Sequence, residues 1–552
     1  MRRLLFILLC TLYINDILAQ EITVIEGKVY RMNDIKNIKV TNANKTFEGK
    51  LPELLGKDHS ISLFNQALEA THLNDSLLAY IDMNYSVGKD STDWTNDKLC
   101  IGNSLESDNV AYMPIRYIKF TVFAEPDEVF VNKYGVTNLD GLKALASQLY
   151  DPMYPEDAGI TDPTDRRNSL NRFVSYHMLP FQASYYQLTC VDGPNSTLAG
   201  LFNRRKADIS DWYETMMPHS LMKFSFPLGA ESGLYINRRG VMNRPDNKGV
   251  FIRGAMVATP EEMSDNMALN GTYYYIDDIL AFDQTTQNSI IGAERLRMDC
   301  TTLSPDFLTS GARGHYTTST IENGKYGRGG QGASAVSNCN HSLGFKGQFT
   351  KNFKFNDTQT HLHVRNRVLS FWSYEGDEVT IQGNFDVTVK LPPVPEGDWE
   401  LRLGSCFGYN NRGIVQYYFG TENNMTVCGM PQDMRPSGTN PIIEWKSDSY
   451  LGDALAILNF DVELHKKGLM KGPANYGSGA SGETGGGMGT AFRLQDNTLR
   501  KVIVRFHSDG KSDYYLRMKQ LLDVPTITMD FDYIELCPKC VYDNEYYNED
   551  IY

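Results

Sequence analysis

Histidine and cysteine side chains are the first residues of this sequence whose types and spacing suit chemistry. His361-Leu-His363 would place two imidazoles on one face of a strand, as half of a metal site does, but alternation on an exposed strand explains the pair more simply. Cys537-Pro-Lys-Cys540 has redox-motif spacing, yet it lies beside the chain end and not at the start of a helix that follows a strand. We therefore predict no metal site and no cofactor.

Two sets of aromatic side chains are candidates for binding. Tyr176 and His177 stand at the predicted end of a helix, where they form either a buried hydrogen-bonding pair or a contact with a partner. Trp372, Trp399 and Tyr417 could stack on sugar rings, although core or strand-face packing explains most aromatic residues of this kind. The sequence leaves both interpretations of each set open.

Sequence signatures of enzymes are absent. The chain contains no His-Glu-x-x-His helix, no EF-hand loop and no Gly-x-Ser-x-Gly nucleophile elbow. The glycine-rich stretches at 327–332 and 477–489 do not end in Gly-Lys-Ser/Thr, so we interpret them as surface loops. A carboxylate pair for glycoside cleavage needs a defined separation that no sequence shows. We predict that the protein is not an enzyme, and a glycoside hydrolase or lyase is the lowest-ranked alternative.

Length, charge and cysteine content limit the class of protein. The chain has 552 residues and a formal net charge of −14. This length predicts about two to four domains. Because an acidic chain repels phosphate backbones, we exclude general nucleic-acid binding. Beyond the first residues, the cysteines are too sparse for a disulfide scaffold, but their even number permits bridges in an exported protein.

The first residues have the pattern of an export signal. Two arginines precede an apolar run over residues 4–14, and Ala19 provides a small residue at a cleavage point. Lipidation of Cys10 is the alternative, but Leu9 stands where lipoprotein signal peptidases need a small residue. We predict a signal peptide over 1–19 and an exported chain, at the cell surface or outer membrane or in the periplasm. No later segment is apolar enough to form a transmembrane span.

The elements that must position the candidate residues differ between the two halves of the chain. After an entry segment over 20–57, apolar residues at three- and four-residue spacing predict helices, with β-rich runs between them. The predicted helices are Leu63–Leu73, capped by Ser60 or Ser62, then Leu139–Leu149 and Leu170–Leu179. The predicted strands of this half are Ile118–Ala124, Val250–Val257 and Thr272–Leu280.

From about residue 290 the helical periodicity fades. Short strands separated by Gly, Pro and Asn predict an all-β sandwich or jelly roll over 290–552. The predicted strands are Val368–Trp372, Glu378–Ile381, Phe385–Leu391, Trp399–Leu403, Ile414–Phe419, Val502–Phe506, Tyr514–Met518 and Thr526–Leu536. The fold class that we predict for the whole chain is therefore multidomain α+β.

Three segments, in order, resemble the fasciclin domain. Phe120–Phe130, with the sequence FTVFAEPDEVF, is similar to the opening box of that family. Phe173–Pro180 contains a Tyr-His segment like that of the family, and Ala268–Leu280, with the sequence ALNGTYYYIDDIL, is similar to its closing box. The resemblance covers about residues 58–285. It implies an α/β fold, a β-wedge flanked by helices, that serves adhesion or surface assembly.

The same resemblance marks residues for partner contact. In animal members, an Asp-Ile dipeptide before the closing box and the Tyr-His segment are linked to integrin binding. The corresponding dipeptide here is Asp265-Asn266, so the resemblance assigns partner contact to Asp265, Tyr176 and His177, without an integrin as the partner.

The C-terminal half resembles the galactose-binding-like jelly roll of carbohydrate-binding modules. Phe385–Leu403 joins two strand-like runs through a proline-rich turn, and Met529–Pro538 is a strand-like run near the end. These segments are also similar to the tails of fasciclin-domain proteins from the Bacteroidota cell surface. The resemblance implies a sandwich and names no sugar.

These observations predict an exported, non-enzymatic adhesion or assembly protein of the cell surface. Its fasciclin-like domain would bind a surface or outer-membrane protein, and its sandwich would bind a second partner or a glycan. The alternative function is that of a glycan-binding accessory protein in an outer-membrane uptake system. Exposed aromatic residues on one sandwich face would favour that alternative.

Overall fold

A computed structural model describes most of the chain. The described residues are 22–25, 28–31, 48–85, 110–112, 116–183, 185, 188, 209–227, 233–240, 251–259, 266–309, 342–345, 350–366, 374, 377–474, 492–544 and 548–551. The predicted signal peptide and both glycine-rich stretches lie outside them.

The helices of the described residues are short. They are α1 (Leu51–Leu55), α2 (Ser62–Ala70), α3 (Leu73–Ser76), α4 (Asp127–Tyr134), α5 (Leu139–Tyr150), α6 (Ser169–Tyr176), α7 (Pro305–Thr309), α8 (Asp448–Leu451), α9 (Ala454–Lys466) and α10 (Lys539–Tyr542). Short turns of other helix types are His59–Ile61, Thr286–Ile290, Ile291–Ala293, Cys300–Leu303, Phe492–Leu494 and Glu549–Ile551. Within these segments, no helix has the length and apolar character that crossing a bilayer requires.

The strands of the described residues form six sheets. They are β1 (Ile22–Ile25), β2 (Lys28–Arg31), β3 (Val110–Tyr112), β4 (Phe120–Ala124), β5 (Met178–Leu179), β6 (Ile209–Glu214), β7 (Leu221–Phe226), β8 (Leu234–Ile236), β9 (Ala255–Val257), β10 (Met267–Ala268), β11 (Gly271–Tyr275), β12 (Leu296–Asp299), β13 (Ser342–Phe345), β14 (Phe353–Phe355), β15 (His361–Asn366), β16 (Asp377–Gln382), β17 (Asp386–Lys390), β18 (Gly397–Cys406), β19 (Ile414–Thr421), β20 (Asn424–Val427), β21 (Gln432–Asp433), β22 (Leu469–Lys471), β23 (Thr498–Ser508), β24 (Tyr515–Gln520), β25 (Thr528–Phe531) and β26 (Tyr533–Pro538).

The N-terminal half combines helices with two small sheets. One sheet has the order β10-β11-β4-β5, in which β4 and β11 are parallel and the outer pairs are antiparallel. Every residue of β4 is buried, which is why this strand is a nearly continuous apolar run. The second sheet, β6-β7-β8-β9, is antiparallel, and α2 packs on α5 and α6 beside the first. This arrangement confirms α+β structure and leaves the fasciclin assignment a prediction.

Asn270 and Gly271 join segments that are distant in sequence. The Asn270 side chain accepts a hydrogen bond from the Leu51 N–H at 2.8 Å and donates to the Leu77 and Ala79 carbonyls at 2.6 and 2.7 Å. A Cβ on Gly271 would lie 2.5 Å from a β4 backbone oxygen, so this position needs glycine. The Asn-Gly pair is thus a packing junction as well as a turn.

The start of α2 corrects the capping prediction. Neither Ser60 nor Ser62 caps this helix. Asp127, the first residue of α4, accepts from the Leu63 N–H at 2.8 Å and from the Ser62 hydroxyl, while Ser60 donates to Asp58. A carboxylate is a stronger acceptor than a hydroxyl. Because this one comes from a distant element, a local pattern does not predict it.

Three sheets in the C-terminal half form a sandwich-like arrangement. Their strand orders are β12-β26-β18-β23-β22, β25-β16-β15-β13-β3 and β14-β17-β24-β19-β20, with β21 beside β19. Alternation is clearest in β24, where Leu516, Met518 and Gln520 are buried and the residues between them are partly exposed. The strands predicted over 378–419 and 502–518 are confirmed with shifted ends, and Val368–Trp372 lies outside the described residues. The single strand predicted over Thr526–Leu536 is wrong, because the ladder breaks at Asp532: β25 pairs with β16, and β26 pairs with β12 and β18 in another sheet.

Three further differences from the sequence predictions concern single elements. The helix predicted over 170–179 ends at Tyr176, and Met178 and Leu179 pair with β4 instead. Pro180 disfavours helical dihedral angles at the residue before it, Leu179. The helix α9 interrupts the half that was expected to be all β; Asp453 caps it by accepting from two backbone N–H groups at 2.9 Å. In addition, β3 pairs in parallel with β13, across the predicted domain boundary. The boundaries themselves stay a prediction.

Candidate functional site

His177 is sealed inside the N-terminal half. Its Nδ1 lies 2.7 Å from the Phe173 carbonyl oxygen, and its Nε2 lies 2.8 Å from Glu125 Oε1. Both His177 and Glu125 have no solvent-exposed surface. Because a carbonyl only accepts, Nδ1 donates to it, and Nε2 faces the Glu125 carboxyl group. This geometry corresponds to the structural interpretation of His177, a buried hydrogen-bonding residue.

Tyr176 is equally buried and connects three elements. Its hydroxyl donates to the Leu221 carbonyl at 2.9 Å and accepts from the Asn237 amide at 2.9 Å. Burial raises the pKa of this phenol well above its usual value. The bonds tie α6 to the start of β7 and to the residue after β8, so Tyr176 has a structural position too.

The other predicted binding residues do not meet in one place. Trp399 is 1% exposed and Tyr417 is 0% exposed, so neither ring can reach a sugar in solution. The Trp399 Nε1–H donates to the Pro395 carbonyl at 3.0 Å. Asp265 and Trp372 lie outside the described residues. The described part of the sandwich therefore offers no stacking platform from the predicted set.

Metal and thiol chemistry also find little support in the described residues. His361 pairs with Gln382 across two strands, and the segments that can be described contain no group of three or more His, Cys, Asp or Glu that could hold a metal ion. Cys537 is fully buried, which raises the pKa of its thiol to about 12, the opposite of an activated thiol. Cys300, Cys406 and Cys428 are buried as well, whereas Cys540 is exposed.

A cleft of about 490 Å³ lies where the two halves of the chain meet. It is bounded by the segment that leads into β4, the β6–β7 hairpin, the turn after β12, and the loops before β14 and after β17. Sites for small molecules commonly have about this volume and commonly lie between domains. We name this space the junction cleft.

One end of the junction cleft is held by a buried carboxylate. Asp306 accepts from Arg116 Nε at 3.0 Å and from the Lys351 backbone N–H at 2.6 Å. Arg116 also lies 3.4 Å from Asp82. Burial raises the pKa of the Asp306 carboxyl group, and the Arg116 charge opposes that effect. Arg116 is thus shared between two carboxylates.

The other end of the junction cleft has a second ion-paired group. Lys390 Nζ lies 3.3 Å from Glu214 in β6 and 3.2 Å from Asp513. Outside the cleft, Lys511 and Glu156 join the same two halves at 3.2 Å. The contact between the halves is therefore rich in charge pairs.

An exposed apolar surface lies on α9. Leu455, Leu458 and Val462 are 66%, 39% and 44% exposed, and their spacing places them on one side of the helix. The opposite side is buried and includes Asp461 and Leu464. Leu464 and Phe460 pack on the core from the buried side, so Leu455, Leu458 and Val462 form a second apolar stripe that the described residues leave uncovered. We name its exposed side the α9 face; Tyr450 and Ile442, 74% and 75% exposed, lie in the segment before it.

A buried ionic network fills one end of the sandwich. Glu535 in β26 is fully buried and lies 2.5 Å from Arg297, 3.2 Å from Arg500 and 3.3 Å from Arg402. These arginines outweigh the effect of burial and hold the pKa of Glu535 well below its usual value. Unpaired, such a charge would be very costly to bury, so the network is a structural unit.

The network also holds the last described residues of the chain. Glu549 forms ion pairs with Arg295 and Arg402, and the Asp550 carbonyl accepts from Arg500. The Asp550 carboxylate lies 3.5 Å from His465 in α9. These contacts hold residues 548–551 against the sandwich and against α9.

Comparisons with known proteins add no family. No family model and no curated protein matches the chain. Among solved structures, an insecticidal crystal protein, Cry2Aa, is similar over 36% of this chain and 22% of its own length, with 9% sequence identity and a TM-score of 0.18. The chain thus spans less than a quarter of that protein. A likeness of this extent carries no argument about fold or function.

Neither the junction cleft nor the α9 face was predicted from the sequence. The cleft brings together Glu214, Asp306 and Lys390, whose separations along the chain fit no local pattern. For α9 a signal was present, because Asp453 is a good N-cap and Ala454–Lys466 is rich in helix formers. The strands predicted on either side of it end at Phe419 and begin at Val502, so α9 lies in a segment to which no element was assigned.

Proposed function

We propose that the protein is an exported, non-enzymatic protein that binds a protein partner at the cell surface, in adhesion or assembly. The observation that carries the proposal is the α9 face. Exposed Leu455, Leu458 and Val462 form an apolar stripe on a regular element, and such stripes characterise contact surfaces between proteins. We take the partner to be a surface or outer-membrane protein with an apolar contact region.

The non-enzymatic part of the proposal is supported by the state of the reactive groups. His177 and Tyr176 are buried and bonded within the fold. The cleft carboxylates Asp306 and Glu214 accept from cations or from a backbone N–H, an arrangement suited to holding groups in place. Hydrolysis of a glycoside instead requires one carboxyl group that donates a proton and one that remains ionised.

The test is co-purification of the tagged full chain from its native membranes in mild detergent, with mass spectrometry of the eluate. Leu455→Glu combined with Leu458→Glu places two charges on the α9 face. Because both side chains point to solvent, the variant should fold, which circular dichroism checks. We expect a stoichiometric surface or outer-membrane partner with the wild type and its loss with the double variant, because burying unpaired charge opposes contact.

The control is Val131→Glu, which places one negative charge on an exposed apolar residue of α4. It should retain the partner. Recovery of the wild-type protein alone would refute the proposal. So would equal loss of the partner in the control, since that would move the contact away from the α9 face.

A further inference from the structure

The junction cleft is built from groups that both donate and accept hydrogen bonds. Arg116, Lys351 and Asn352 bring donors, and Asp306 and Glu214 bring acceptors, all within one lining. Arg116 lies against Asp306 and Lys390 against Glu214, so donors and acceptors lie side by side in the lining. A ligand there must therefore offer donors and acceptors close together.

Charge in the cleft is largely cancelled. Arg116, Lys351 and Lys390 supply three positive charges, and Asp306 and Glu214 together with the neighbouring Asp82 and Asp513 supply four negative ones. A ligand with a full charge of either sign would have to compete with one of these ion pairs. A neutral polar ligand avoids that cost, since its hydroxyl groups use the remaining lone pairs and N–H groups.

Apolar side chains close the inner wall. Phe181, Leu221, Met298 and Leu303 line the cavity and are buried. The Tyr117 ring, which is partly exposed, also belongs to the lining. Apolar walls with a few placed polar groups are typical of sites for small molecules, and the C–H faces of a sugar ring suit such a wall.

We propose that the junction cleft binds a neutral polyhydroxylated molecule of one or two sugar rings. The carboxylate of Glu214 accepts from ring hydroxyls, Lys351 and Asn352 donate to them, and the apolar wall contacts the ring face. The ligand touches both halves of the chain. This inference does not depend on the α9 face, so either proposal can fail while the other stands.

The experiment is isothermal titration calorimetry of the full chain with neutral probes: glucose, galactose, N-acetylglucosamine, lactose and cellobiose. Glu214→Ala is the test variant, because Arg116 keeps Asp306 at 3.0 Å and Lys511 keeps Glu156 at 3.2 Å, so two ion pairs still join the halves. We expect saturable binding of at least one probe by the wild type. In the variant, affinity should fall about tenfold or more, as expected when a hydrogen bond to a charged group is lost.

The matched control is Glu156→Ala, which removes a junction ion pair that does not line the cleft. It should leave the affinity unchanged. Equal weakening in both variants would show a general loosening of the junction and would overturn the proposed site. Absence of binding by every neutral probe would overturn it as well. Glucuronate binding about tenfold more tightly than glucose would overturn the charge-balance argument and assign the cleft to organic anions.

Discussion

Glu535→Gln is the substitution that most directly tests the buried ionic network. The change keeps the volume and one acceptor but removes the negative charge that faces Arg297, Arg402 and Arg500. It also directs an amide N–H₂ towards guanidinium groups that need acceptors. The arginines would remain buried with an excess of positive charge, so we expect strong destabilisation of the C-terminal half.

The expected loss of unfolding free energy follows from the burial of Glu535 and from the partners that the arginines keep. Removing one member of a buried ion pair typically costs about 3–5 kcal/mol. Arg402 keeps Glu549 and Arg500 keeps the Asp550 carbonyl, which places the expected loss near the middle of that range, at about 4 kcal/mol. For a unit of this size the loss corresponds to a decrease of roughly 10 °C in melting temperature.

The measurements are the melting temperature of the full chain and, in parallel, the hydrogen exchange of the β18 and β26 amides. The second is needed because a protein with two halves need not unfold in one step. The control is Glu422→Gln, whose exposed pair with Lys354 spans 3.8 Å and should contribute about 0–1 kcal/mol. A decrease in melting temperature no larger in Glu535→Gln than in this control would show that the buried network does not stabilise the C-terminal half.

Two further predictions concern histidines. Burial lowers the pKa of His465, but Asp550 and Glu400 outweigh that effect and raise it to about 9. Since the unfolded value is about 6.5, this stabilisation is complete below about pH 6.5 and is lost as pH rises through about 9. Urea midpoints of the C-terminal half should therefore decrease between pH 7 and 9, and less so in His465→Gln; an equal slope in both proteins would contradict the assignment. His177→Ala should cost about 3 kcal/mol or more in urea unfolding, because it leaves Glu125 buried without its ring partner. The control His507→Ala removes an exposed ring and should change stability by less than about 0.5 kcal/mol; similar values for both would contradict the buried-pair interpretation.

Local patterns in the sequence predicted the elements whose causes are local. The apolar spacing of Leu139–Leu149 predicted α5 almost to its ends, and the β-rich run at 118–124 predicted β4. Strand-like runs bounded by turn residues likewise predicted β16–β19, β23 and β24. In each case the side chains that define the element are those that it buries.

Features that depend on long-range contacts escaped prediction. The cap of α2 comes from Asp127, and β3 joins a sheet of the other half. Carboxylates of the junction cleft come from β6 and from the start of α7. No local rule relates such positions, because their proximity is a product of the tertiary fold. The burial of Trp399 and Tyr417 is of the same kind, since a strand pattern does not indicate which of its faces is covered.

The two proposed contact surfaces should differ in how strictly they discriminate. Apolar contact is non-directional and depends mainly on area and shape, so the α9 face should accept partners whose apolar surfaces share an outline. The junction cleft presents donors and acceptors at defined places, and a ligand that lacks one matching hydroxyl leaves a group such as Glu214 without a partner in a confined space. Selectivity should therefore reside in the cleft. The apolar area that can contact a large partner lies on the α9 face.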